Sequence, residues 1–164
     1  MTGIAQHRAR IRELITSGAG AQAAELLRVL ELSGLSLSGL SLVDLPLAGA
    51  WLEGADLQRS NLSGASLRGA TLRRARLCEI DAGATDLREA DLREADLFGA
   101  RLTMADLSGA DLRGARLAGA QIIGCRLHEA DLRGVDLSAA VVVGEVSGAR
   151  WDGQTRWPSG GRPD

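Results

Sequence analysis

Two histidines and two cysteines are the candidates for nucleophilic, acid–base or metal chemistry in this 164-residue chain. His7 and His128 stand alone, far apart in the sequence, as do Cys78 and Cys125. None has a second His or Cys at the short spacing that a zinc site uses. Cys78 is flanked by Arg76 and Glu79, whose charges oppose one another, so nothing marks its thiol as activated. The many Asp residues could suggest calcium, but Arg is interleaved among them and would repel the ion. No phosphate-binding loop or dinucleotide fingerprint is present. No catalytic residue, metal or cofactor is expected, and the chain reads as a non-enzyme.

Composition points elsewhere. Leu (27), Ala (26) and Gly (21) make up 74 of the 164 residues, with one Phe, no Tyr, and Arg as every one of the 19 basic residues. A hydrophobic content of 45% is too high for a disordered chain. A net charge of −2 gives no basic field for nucleic acid, so direct nucleic-acid binding is not expected. Two cysteines make no disulfide framework and suit a reducing cytosol, so a cytoplasmic location is expected. The opening MTGIAQHRARIRELI carries charge where a secretion signal needs an apolar run, and no stretch approaches membrane-spanning length.

The informative signal is spacing. From Leu32 to Val142 an apolar residue recurs at every fifth position, 23 times in register; 20 are Leu, the others being Ala82, Ile122 and Val142. Two residues before it the side chain is small in most units, Ala in 14 of the 23, while the first four are Leu30, Leu35, Leu40 and Leu45. Five residues advance about 500° on an α-helix, which scatters the leucines. On a flat strand an odd spacing flips them to alternate faces. The chain must therefore turn between units, and Gly at many junctions tolerates that. Short strands with regular corners make a solenoid in which each unit buries its Leu by stacking on its neighbours.

The modal unit A-[D/R]-L-x-G, plain in ADLSGADLRG (105–114), resembles that of the pentapeptide-repeat family. The resemblance implies an all-β fold: a right-handed quadrilateral parallel β-helix, four units to a coil, with the central Leu and the small residue pointing inward. On this reading residues 30–144 are the β-helix, 1–29 a short N-terminal helical cap and 145–164 a C-terminal tail. Ile4, Ile11, Leu14 and Ile15, then Leu26, Leu27 and Leu30, fall at helical spacing, and a solenoid end needs such a cover. Trp51, near the first coil, is expected to pack beneath the cap.

Folding the outward positions onto four sides sorts the charges. One column carries Arg73, Arg93, Arg113 and Arg133 beside Asp91, Asp111 and Asp131; another alternates as Asp56, Arg76, Asp96, Arg116, Asp136. Ile123, Val141 and Val143 should share a side near the C-terminal end, with Phe98 one side around. These apolar residues and the arginine column are the candidate interaction surface. They imply a protein partner, a homodimer through the C-terminal end, or a patch covered by Trp151 and Trp157. The expected function is a rigid, non-enzymatic scaffold for protein–protein interaction. The alternative is the quinolone-resistance type of the family, which mimics duplex DNA and modulates type II topoisomerase (DNA gyrase). Against it, Glu31 to Glu145 holds 17 acidic residues and 12 Arg, with the cations spread along the sides.

Overall fold

The structure, a computed structural model, describes residues 2–29 and 34–161. The expected first repeat positions, Leu30 and Leu32, lie outside the described residues, as does the side chain of Ile4. The chain opens with two helices, α1 (Thr2–Thr16) and α2 (Gly20–Val29). Ile11, Leu14 and Ile15 of α1 and Ala23, Ala24 and Leu27 of α2 are buried. α1 ends in a Schellman motif. Gly18 takes φ +83°, its N–H donates to Ile15 O, and the Ala19 N–H donates to Leu14 O. At Gly20 a Cβ would collide with Leu45 Cδ2, so α2 can lie directly on the first coil. Its Leu27 carbonyl accepts the N–H of Trp51 at 2.9 Å, the place that a lower coil takes elsewhere. The cap thus engages the backbone of Trp51, while its indole is left half exposed instead of packed beneath the helices.

From Ser36 onward every pairing is parallel, and all but one link residues twenty apart: Ser36 with Asp56, Asp56 with Arg76, Arg76 with Asp96, and so on. Twenty residues with a turn in every unit make a four-sided coil of four five-residue units. Most pairings involve a single residue, because five residues leave little straight chain between corners. Among the described residues only Gln121–Ile123 (β1) and Val141–Val143 (β2) extend to three-residue strands, paired in register.

The unit Ala90–Glu94 accounts for each of its five backbone N–H groups. Ala90 bonds back to Leu87 O across the corner, Asp91 to Ala70 O in the coil below, and Leu92 and Glu94 to Asp111 O and Arg113 O in the coil above. The remaining N–H, that of Arg93, donates to the Asp91 carboxylate at 3.2 Å. The same turn recurs at Asp56, Asp86, Asp96, Asp106, Asp111, Asp131 and Asp136. The acidic second position of the unit therefore satisfies a donor that the coil ladder cannot reach. The fifth position takes positive φ, which Gly adopts freely. Nine other described residues, among them Ala84 and Met104, adopt it as well.

Inside, the central residue of each unit from Leu37 to Leu137 is buried, Ala82 and Ile122 included, and so are the small positions from Ala50 to Ala140. Polar residues at inward positions bond to backbone: Thr85 Oγ1 donates to Leu62 O and Thr155 Oγ1 to Leu132 O. In the C-terminal half the leucine columns leave a void of only about 10 Å³. That is the lower limit for holding one water. The pairing runs past residue 144. Asp131 pairs with Arg150 and Asp136 with Arg156, so the segment drawn from sequence as a tail adds a further turn of coil. Trp151 and Trp157 meet there with ring centroids 6.4 Å apart and planes at 82°. This is the favoured edge-to-face arrangement, and Trp157 packs on the core. No helix among the described residues is long and apolar enough to cross a membrane.

Candidate interaction surfaces

The four sides differ in how their outward side chains are used. On the Asp91 side, the anticipated arginine column forms a closed ladder. Arg93, Arg113 and Arg133 each clasp the Asp two residues earlier with both Nε and Nη2, at 2.5–2.9 Å. Longer contacts of 3.6 and 3.7 Å link Arg93 to Asp111 and Arg113 to Asp131. Hydrogen bonds from these forks hold the Asp91, Asp111 and Asp131 carboxyls below the usual carboxylate range, against the opposing effect of burial. Arg73 departs from the pattern, pairing with Glu94 at 3.0 Å, and its Nε is buried without a partner. Most of the recognition capacity of this column is spent within the chain.

The Asp96 side is an open ladder. Arg76, Arg116 and Arg156 each reach the Asp one coil below by a single contact of 3.3–3.6 Å, and their side chains remain 61–74% exposed. Phe98 projects from the same side, 48% exposed. Beside it lies a shallow groove of about 300 Å³ bounded by Arg116, Ala118, Asp136, Ser138 and Ala139. Cys78 also faces this side; burial raises its thiol pKa, with a smaller upward push from Asp96.

The Ile123 side carries β1 and β2. Val141 and Val143 are half exposed, Ile123 is partly buried, and Met104 is 64% exposed. The tryptophans lie at the end of the core and leave this strip uncovered. Met104 was not anticipated, because it occupies a corner position and the repeat reads that place as Gly. The Asp106 side holds His128, 3.7 Å from Glu129, beside Ser108, Arg126 and Glu145. Cys125 is buried with its Sγ at 2.7 Å from Leu102 O, and burial pushes its pKa up to about 11. That leaves it an inert thiol. Among the described residues no three His, Cys, Asp or Glu side chains come together as metal ligands.

Known proteins place this architecture. The family model for pentapeptide repeats matches residues 47–77, 79–114 and 100–138, with eight copies. Among solved structures, a pentapeptide repeat protein (Rfr23) from the cyanobacterium Cyanothece 51142 is 37% identical, with a TM-score of 0.41. The match covers 62% of this chain and 63% of that one, so this chain spans less than two thirds of that relative. A pentapeptide repeat protein from Nostoc Pcc 7120 is 30% identical over 59% of this chain and 84% of that one, with a TM-score of 0.52. QnrB1, a plasmid-mediated fluoroquinolone resistance protein, matches over 77% of this chain and 84% of that one, but at 14% identity and a TM-score of 0.44 it is too distant to carry a function. No curated protein matches the chain. The unbroken five-residue register, the twenty-residue pairing and the family match over more than half the length lead to one conclusion: the chain belongs to the pentapeptide-repeat family.

Proposed function

We propose that the chain forms a right-handed quadrilateral β-helix that serves, without catalysis, as a rigid cytoplasmic scaffold for a protein partner. The observation that carries this reading is the strip of Met104, Ile123, Val141 and Val143. It gathers exposed apolar side chains on three successive coils, whereas the charges of the Asp91 and Asp96 sides are paired into ladders. The strip rests on bonded strands and stacked leucines, so a partner would meet it preformed, with little ordering cost. It spans about three coils, roughly 15 Å by 10 Å, far below the ~800 Å² per partner of a stable dimer. That size suits one apolar element of a partner better than it suits a homodimer through the C-terminal end.

The DNA-mimic alternative draws no support from the charges. A duplex as long as the 23 units, about 28 Å, carries about 16 phosphates. Residues Glu31 to Glu145 carry 17 acidic and 12 Arg residues, a net of −5. The arginines are paired along the same sides as the carboxylates, and charges further than about 8 Å are screened at physiological salt. The scaffold reading is tested by capture from native cytosol, comparing wild type with Val141→Glu/Val143→Glu. A partner retained by wild type and lost by the variant supports it. Identical captured sets, with both proteins folded, would overturn the assignment of the strip.

A further inference from the structure

We propose that the Asp96 side pairs with a second copy of the chain, antiparallel and face to face, as a weak two-fold dimer. This rests on a different side from the strip assigned to the partner, and either assignment can fail without the other.

The inference starts from the order of charges. Going up the coil, the outward column reads Asp56, Arg76, Asp96, Arg116, Asp136, Arg156, six rows at successive strand spacings. A two-fold axis along the strand direction, between the rows of Asp96 and Arg116, reverses the coil axis and keeps each column opposite itself. Row one then meets row six, row two row five, and row three row four. The facing pairs are Asp56 with Arg156, Arg76 with Asp136, and Asp96 with Arg116, each occurring twice. Every carboxylate faces a guanidinium. A column of one sign, or an alternating one with an odd number of rows, could not do this. The arginines are available for it, since each makes only a single long contact within its own chain.

The neighbouring column is complementary in shape under the same axis. It reads Gln58, Cys78, Phe98, Ala118, Ser138. Phe98, half exposed and the one Phe of the chain, comes opposite Ala118 of the second copy, at the edge of the groove that Ala118, Ser138 and Ala139 border. That groove holds about 300 Å³, and about 150 Å³ suffices for a benzene-sized ring. The corner column brings Gly99 opposite Gly119, so backbones can approach at the axis. No like charges face each other in these columns.

The size of the contact sets its strength. Six rows cover about 25–30 Å along the coil and one side is about 10 Å across, so each copy contributes roughly 300 Å² of flat face. That lies in the range of weak, transient contacts. A dimer seen at high micromolar concentration and weakened by salt is the expected behaviour.

The test is sedimentation velocity at low salt on the full chain, with circular dichroism to confirm folding. Wild type should shift from monomer toward dimer with concentration. Arg116→Asp places Asp96 against a carboxylate, and Asp96→Arg places Arg116 against a guanidinium, so each variant alone should stay monomeric. Mixed together they should dimerise, because one chain then presents carboxylates at both central rows and the other presents guanidinium groups at both. Phe98→Ser, at an exposed position, should also be monomeric and serves if a charge variant fails to fold. A wild type that is monomeric throughout, a dimer that persists in Phe98→Ser, or two folded charge variants that do not associate on mixing would each overturn the proposal.

Discussion

Exchanging Ile80 and Ala82 between their two inward positions probes how the coil fills its interior. Neighbouring units place Ala at the first inward position and Leu at the second, as in Ala75/Leu77 and Ala90/Leu92; this unit places Ile80 first and Ala82 second. Both are at most 2% exposed, so the large side chain has moved within the unit without leaving the core. Ile80→Ala removes three buried carbons, about 2.4 kcal/mol of transfer at about 0.8 per carbon. The cavity term should raise the loss to about 4 kcal/mol, because Ala82 beside it cannot fill the space. Ala82→Leu alone adds volume next to Ile80 and should cost about 1–3 kcal/mol. The double variant restores the Ala-x-Leu pattern of its neighbours and should lie within about 1 kcal/mol of wild type, a coupling of about 4 kcal/mol or more. Urea unfolding followed by circular dichroism on all four proteins measures it. A double variant less stable than either single one would refute the volume exchange.

Other expectations follow from the same geometry. Ala84 sits at a corner with φ 52°. An L-residue is strained there, so Ala84→Gly should raise stability by about 1 kcal/mol in the same urea assay. The Asp91, Asp111 and Asp131 carboxyls titrate lower in the folded chain than their ordinary value of 3.8. Their contribution is therefore complete above the unfolded pKa and is lost as pH falls through the folded value. Thermal scans should show a melting temperature flat near neutrality and falling below about pH 4. That fall should be smaller in Arg93→Met/Arg113→Met, and an equal fall would show that the ladder is not its source. In a gyrase supercoiling assay, excess protein should leave activity and fluoroquinolone sensitivity unchanged; potent inhibition would restore the DNA-mimic reading.

The coil itself was legible in the sequence. An insertion-free five-residue register forces a corner in every unit, and the apolar residues two apart must then face one interior. The inward set followed from that, down to Cys125, and with the four-unit coil that the family resemblance implies, so did the sorting of outward charges into columns. The role of the second position did not. Asp before the central Leu reads as surface charge, and only the folded corner shows its carboxylate holding the N–H two residues on. The two charge ladders also looked alike in sequence. They differ because Arg93 is two residues after Asp91, within reach of a two-pronged clasp, whereas Arg116 reaches Asp96 only across a strand spacing.

The C-terminal end was decided by tertiary structure alone. Val146 and Trp151 each stand one residue ahead of the five-residue spacing, so the pattern ends at Val142 when read along the chain, although Trp157 falls back on it. In the fold the pairing offset shortens to nineteen at Arg150 and returns to twenty at Arg156. Stacking tolerates that slip because each side needs only to meet the side below it, whatever the count of residues between corners. What must be satisfied at the last coil is coverage of an open leucine column. Trp157, braced edge to face by Trp151, provides it from a central position twenty residues after Leu137, which the slipped units before it disconnect from the repeat in the sequence.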